Sequence, residues 1–110
     1  MKLWIDDVRP APEGYVHIKS VDEAKECIAF AEREYAKRNE VFYDCSTFII
    51  EVVDIDHDAG DYAIYGGDYI RLLDWLEETG RNYPIRIHSQ NPVGTENMRR
   101  IIQRNGWKEV

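Results

Sequence analysis

The chain has 110 residues, room for one domain (1–110) around one hydrophobic core. Apolar residues at 44% and charged residues at 32% exclude a disordered tail. Fourteen basic against twenty-one acidic side chains give a formal charge of −7, which disfavours broad binding to duplex nucleic acid but leaves a phosphorylated small molecule or one RNA end, bridged by a cation, as a partner.

Residues 2–6, Lys-Leu-Trp-Ile-Asp, read as a short strand ending in the pair Asp6-Asp7. The chain enters this strand with no signal-peptide apolar segment, and no apolar run is long enough for a membrane span, so a cytoplasmic protein is expected. Two prolines and a glycine in Val8-Arg9-Pro10-Ala11-Pro12-Glu13-Gly14 forbid a regular helix. Extended at about 3.3 Å per residue, such a loop recrosses a sheet unaided. Residues 15–19 alternate with period two and predict an edge strand; His17 on it has no assigned role.

Ser20-Val21-Asp22-Glu23 is a capping box that opens a helix with Ala24, Cys27, Ile28, Ala31 and Tyr35 on its inward stripe, fading near Arg38-Asn39. Residues 41–47 form a connection without clear period. Cys27 and Cys45 have neither metal-ligand spacing nor a disulfide framework and read as reduced, partly buried thiols. Phe48-Ile49-Ile50-Glu51-Val52-Val53 is a strand-like run that delivers Asp54, Asp56, His57 and Asp58 into a turn. Residues 60–67, rich in glycine and tyrosine, predict an irregular loop above these acids.

Asp68 is placed to cap a helix whose inward face is Ile70, Leu73 and Leu76, with Leu72 and Trp75 beside it, stopped at Gly80. Pro84-Ile85-Arg86-Ile87-His88-Ser89 is a further strand, residues 90–95 a polar turn, and residues 96–105 a last helix with Met98, Ile101 and Ile102 inward. Gly106 ends it, and Trp107-Lys108-Glu109-Val110 can add a fifth strand. Strands alternating with helices imply right-handed crossovers, a parallel sheet with helices on both faces, and a site beyond the carboxyl ends of the strands.

Three of those ends carry Asp6-Asp7, Asp56-His57-Asp58 and His88-Ser89. An isolated acidic pair is usually a solvated turn, and an isolated strand-end histidine is usually just hydrogen-bonded. Converging, the carboxylates of Asp6, Asp7, Asp56 and Asp58 with the Ser89 hydroxyl form the oxygen-rich set that Mg²⁺ or Mn²⁺ takes. Asp54 lies deeper in its strand and reads as a supporting acid. His57 and His88 beside such a cluster are candidates for general acid or base. Asn91-Pro92-Val93-Gly94 reads equally as backbone N–H groups offered to an anion or as an ordinary cap. Arg9 fits a phosphate clamp and fits equally a partner for Asp6 or Asp7. Arg99, Arg100 and Arg104 read as a solvated face.

Leu3-Trp4-Ile5-Asp6-Asp7-Val8-Arg9-Pro10, Asp56-His57-Asp58-Ala59-Gly60 and Ile87-His88-Ser89-Gln90-Asn91-Pro92-Val93-Gly94 with Asn97-Met98 together resemble the cyclic-phosphate processing receiver-like domains, divergent relatives of response-regulator receivers. The resemblance spans nearly the whole chain. It implies a three-layer, flavodoxin-like α/β fold with a five-stranded sheet in the order 2-1-3-4-5 and about three helices, the first and last receiver helices being absent. It also matches Asp6 and Asp7 to the receiver's metal-binding acids, Asp56 to the phosphoacceptor and Ser89 to the hydroxyl residue of the fourth strand. No Lys-Pro follows the fifth strand, and Lys108 inside it is not an assumed substitute.

The leading expectation is therefore a metal-dependent phosphoesterase acting on a cyclic phosphate of a nucleotide or RNA end. Asp6, Asp7, Asp56 and Asp58 would hold the metal. Asp56, His88 and His57 would carry the chemistry, and Arg9, Ser89, Asn91 and Gly94 would bind the phosphate. The alternatives are a signalling module phosphorylated at Asp56 and a non-catalytic module that binds a phosphate ligand or a partner.

Overall fold

The computed structural model describes residues 1–40 and 46–110; Cys45 and most of the connection expected at 41–47 lie outside them. Four parallel strands, β1 (Lys2–Ile5), β2 (Tyr15–Ile18), β3 (Val52–Ile55) and β4 (Ile85–Ile87), pair in the order β2-β1-β3-β4. Three helices accompany them: α1 (Val21–Glu40), α2 (Ile70–Glu78) and α3 (Pro92–Asn105). The expected fifth strand is reduced to one parallel bridge, Ile85 with Glu109, so the sheet has four strands. Trp107 is drawn into the core and Arg99 of α3 grips Glu109 through Nε and Nη2, which leaves little free backbone for a longer ladder.

The crossovers β2–α1–β3 and β3–α2–β4 step in the same direction across the sheet, and α3 leads on beyond β4 in that direction. Right-handed connections of this kind place their helices on one face, and α2 packs against both α1 and α3 as a single layer requires. The expected helices on both faces thus become one helical layer. Among the described residues, the opposite face, where Trp4 and His17 pair in register and Trp4 pairs with Asp54, is crossed by the proline loop after β1. Leu3, Ile5, Val53, Ile55 and Ile85 point from the helical face into Val21, Ala24, Ile28, Leu72, Leu73, Leu76, Met98 and Ile102. That contact forms the core.

Local chemistry explains most boundaries. Ser20 Oγ accepts the Glu23 N–H at 3.1 Å and opens α1 as its capping box requires. The buried stripe of α1 is Val21, Ala24, Ile28 and Ala31, while Tyr35 is exposed. β3 begins at Val52, after a 3-10 helix at Ser46–Phe48, so the strand expected from Phe48 is shorter and later. The loop expected at 60–67 contains a 3-10 helix, Gly60–Ile64. Asp68 does not cap α2: its Oδ1 accepts the Ala59 N–H instead, and the inward face of α2 is Leu72, Leu73 and Leu76.

α3 starts at Pro92, four residues before the expected start. Asn91 Oδ1 accepts the Gly94 N–H at 2.9 Å, and Pro92 supplies the fixed φ of a first helical residue. Ser20→Ala is expected to lower stability by about 1 kcal/mol. Urea unfolding would show a lower midpoint at unchanged slope, and an unchanged midpoint would mean that the cap contributes nothing.

Candidate functional site

The ladder continues one residue past each strand. Asp6 N–H donates to the Ile18 carbonyl at 3.1 Å, Asp56 N–H to Ile5 at 2.9 Å and His88 N–H to Ile55 at 3.0 Å. Asp6, Asp56 and His88 are thereby set along one carboxyl edge, where open parallel sheets form their sites. Asp6, Asp7 and Asp56 each offer an oxygen within 4.8 Å of the other two. Asp58 is not in that group. It lies beyond the strand, accepts from His57 Nδ1 at 2.8 Å and from Asn91 Nδ2 at 3.3 Å, and shares a separate cluster with His57 and Asp68. The four expected metal acids therefore divide into three and one.

The electrostatics of the triad are those of a site short of positive charge. Burial pushes the Asp6 carboxyl up, but the Arg9 and Val8 N–H groups on Oδ1 and His88 on Oδ2 outweigh it and hold this carboxyl below its usual range. Asp7 goes the other way: burial, reinforced by the negative charges of Asp6 and Asp56, raises it against one opposing backbone hydrogen bond. Among the described residues, the cationic groups in ion-pair reach of the triad, Arg9 and His88, both lie at Asp6. A hard divalent cation fits this set. It takes carboxylate oxygens, and it would relieve the repulsion that raises Asp7.

Two further neighbours, buried Tyr69 and exposed Gly60, complete the surroundings of the triad. Tyr69 gives its hydroxyl to the Lys19 carbonyl at 2.7 Å; burial and then the charges of Asp7, Asp6 and Asp56 push its ionisation far upward, so it stays neutral. Gly60 has φ +55°, and a Cβ there would overlap Asp7 Oδ2. Neither residue carries a sequence signal beyond the glycine itself.

Both histidines are tied. His57 N–H donates to Asp56 Oδ1 at 2.8 Å, which joins the His57–Asp58 pair to the triad. With Nδ1–H given to Asp58, Nε2 keeps its lone pair. A Cβ at Gly94 would overlap the His57 ring, so Gly94 lets the ring lie against the start of α3. His88 has both ring nitrogens occupied, Nδ1 on Asp54 Oδ1 at 2.6 Å and Nε2 on Asp6 Oδ2 at 2.9 Å. That geometry departs from a free general acid or base.

The expected phosphate ligands are largely engaged with their own neighbours. Ser89 Oγ accepts the Asn91 N–H, Asn91 divides its amide between Gly94 and Asp58, and Gly94 N–H is taken by that cap. Arg9 gives Nη1 to the His88 carbonyl at 2.6 Å and lies 3.8 Å from Asp6 Oδ2, leaving Nε and Nη2 for a ligand. His17, passed over in the sequence, places Nε2 2.8 Å from the Asp6 carbonyl. Arg99, Arg100 and Arg104 lie on the surface as expected, in ion pairs with Glu109, Glu96 and Glu77.

The family model described as a cyclic-phosphate processing receiver domain matches residues 1–104. No curated protein and no solved structure matches the chain. Among the described residues, no helix is long and apolar enough to cross a membrane.

Because the Asp7 carboxyl is raised in the folded chain, its charge costs stability at neutral pH, and the cost vanishes below the ordinary value of 3.8. Asp6 has the opposite sign: it contributes stability above 3.8 that is lost as pH falls through its lowered folded value. Asp7→Asn should therefore raise the melting temperature of the metal-free protein by several degrees at neutral pH, with the gain disappearing in acid. Calorimetry at the two pH values checks this, and a lower melting temperature at neutral pH would contradict the repulsion.

Proposed function

The chain belongs to the cyclic-phosphate processing receiver family, and from that premise we propose that it is a divalent-metal-dependent phosphoesterase opening a 2′,3′-cyclic phosphate on a nucleotide or RNA end. The observation that carries this reading is the junction at the end of β3. There the acid triad and the His57–Asp58 pair are joined by the His57 N–H on Asp56 Oδ1. A metal site alone would suit a binding module, and a His–Asp pair alone would suit a solvated turn. Joined, they supply charge neutralisation and proton transfer at one place.

Asp6, Asp7 and Asp56 would hold Mg²⁺ or Mn²⁺, with Asp58 assigned to His57 instead of to the metal. Bound there, such a cation neutralises the phosphate and lowers the pKa of a water. His57 Nε2, its ring fixed by Asp58 and by Gly94, accepts a proton from the attacking water and returns it to the departing ribose oxygen. One P–O bond forms to water and one to the ribose breaks, which leaves a phosphomonoester. Arg9, through Nε and Nη2, is placed to take a non-bridging oxygen. The net charge of −7 favours a single phosphate group at an end over a long backbone.

Incubating the protein and Mg²⁺ with 2′,3′-cyclic nucleotides and with cyclic-ended RNA should give the monoester. Asp56→Asn and His57→Ala should each reduce turnover by about 10²-fold or more. No turnover with any of Mg²⁺, Mn²⁺ or Ca²⁺, or full activity in Asp56→Asn, would overturn the reading. A phosphoryl adduct after acetyl phosphate treatment that is absent from Asp56→Asn would support the signalling alternative instead.

A further inference from the structure

His88 sits between two carboxylates that are almost without solvent: Asp6 is 0% exposed and Asp54 1%. Nδ1 is 2.6 Å from Asp54 Oδ1 and Nε2 is 2.9 Å from Asp6 Oδ2. The ring stacks flat on the Trp4 indole, with centroids 3.8 Å apart and planes within 4°. Trp4 Nε1 donates to the Arg9 carbonyl at 3.0 Å, and Arg9 Nη1 returns to the His88 carbonyl at 2.6 Å. Arg86 stands 4.0 Å from the second oxygen of Asp54. The imidazole therefore has no freedom to rotate, and no nitrogen is left for a substrate.

We propose that Asp54–His88–Asp6 is a positioning bridge: His88, braced by Asp54 and Trp4, holds the Asp6 carboxylate in the orientation that presents it to the cation, and cation binding is felt at the Trp4 indole. The bridge rests on the metal reading of the triad given above but removes proton transfer from His88. Carboxylate ligands hold their metals best when fixed by outer hydrogen bonds, whose loss typically lowers affinity about 10–100-fold. Here the outer bond belongs to a histidine whose own orientation is fixed by a second, buried acid. Asp54 occupies the strand face opposite the helices, where an acid would otherwise lie in water or be replaced by an apolar residue.

The test is calorimetric titration with Mn²⁺ together with intrinsic tryptophan fluorescence. His88→Phe keeps an aromatic ring against Trp4 but removes both ring nitrogens, and it should weaken Mn²⁺ binding about 10–100-fold. Asp54→Ala should do the same, whereas Asp54→Asn, which retains an oxygen for Nδ1–H, should recover most of the affinity. Mn²⁺ should change the emission of the wild type, and Trp4→Phe should abolish that change at Mn²⁺ concentrations that calorimetry shows to saturate the variant.

His88→Phe that binds Mn²⁺ as tightly as the wild type but loses turnover would overturn the proposal and restore His88 as an acid or base. If His88→Phe fails to fold, the Asp54→Asn and Trp4→Phe comparisons still decide: equal binding by Asp54→Asn and Asp54→Ala, or an emission change that survives Trp4→Phe, overturns it. A wild type that binds Mn²⁺ with the expected variant pattern yet turns over no cyclic phosphate upholds the bridge and defeats the phosphoesterase reading. A wild type that binds no divalent cation defeats both.

Discussion

Asp6 and Asp54 place two carboxylates beneath one sheet face with almost no water, and the rest of the site is arranged around compensating that charge. An isolated buried carboxylate is costly, so each oxygen must find a donor. Asp6 receives two backbone N–H groups from the turn that follows it and the His88 imidazole on its other oxygen; Asp54 receives the other imidazole nitrogen and the nearby Arg86. Compensation stops there. Asp7 and Asp56 stand beside Asp6 with no cationic partner of their own among the described residues, and the Asp7 carboxyl is raised by burial first and by the charges of Asp6 and Asp56 after it. The chain thus compensates Asp6 and Asp54, while buried Asp56 receives the His57 N–H and half-buried Asp7 stays raised.

The proline loop accounts for the difference between this chain and an ordinary receiver. A helix after β1 would cover the sheet face that carries Trp4, His17 and Asp54, and would shield it with apolar side chains. With only a short loop there, the face is closed by polar contacts instead: the Trp4 indole on the Arg9 carbonyl, the Arg9 guanidinium on the His88 carbonyl, and His17 on the Asp6 carbonyl. Each of these contacts ends within two residues of an acid of the triad or on the histidine bound to it. The loop that stands in place of the helix is, in this chain, also what ties Asp6 and His88 to their neighbours.

Much of this was legible in the sequence, and the failures have physical causes. Strands alternating with helices imply the parallel sheet and a site at its carboxyl edge, and Ser20-Val21-Asp22-Glu23 implies the cap of α1, because connection handedness and hydrogen-bond capping follow simple rules. Asp58 falls outside the triad because it lies past the end of β3, where the chain turns and period two no longer tells which way a side chain points. His88 reads in the sequence either as a hydrogen-bonded strand-end residue or as a candidate acid or base; its partners come from β1 and β3, and the register shows that Trp4, Asp54 and Arg86 share its face. Of the two readings that Asn91-Pro92-Val93-Gly94 leaves open, the ordinary cap is the one present, and it carries the helix back from Glu96 to Pro92. Pro92 fits a first helical residue, and Gly94 is needed so that His57 can pack against it. The fifth strand looked regular, but side-chain anchors at Trp107 and Glu109 left only one bridge.

The claim on which the account depends is that Asp6, Asp7 and Asp56 together receive one divalent cation. Anomalous diffraction from crystals soaked in Mn²⁺ tests it most directly. The account predicts a single strong peak within bonding distance of an oxygen from each of Asp6, Asp7 and Asp56. No peak, or a peak confined to the His57–Asp58–Asp68 cluster, would contradict it.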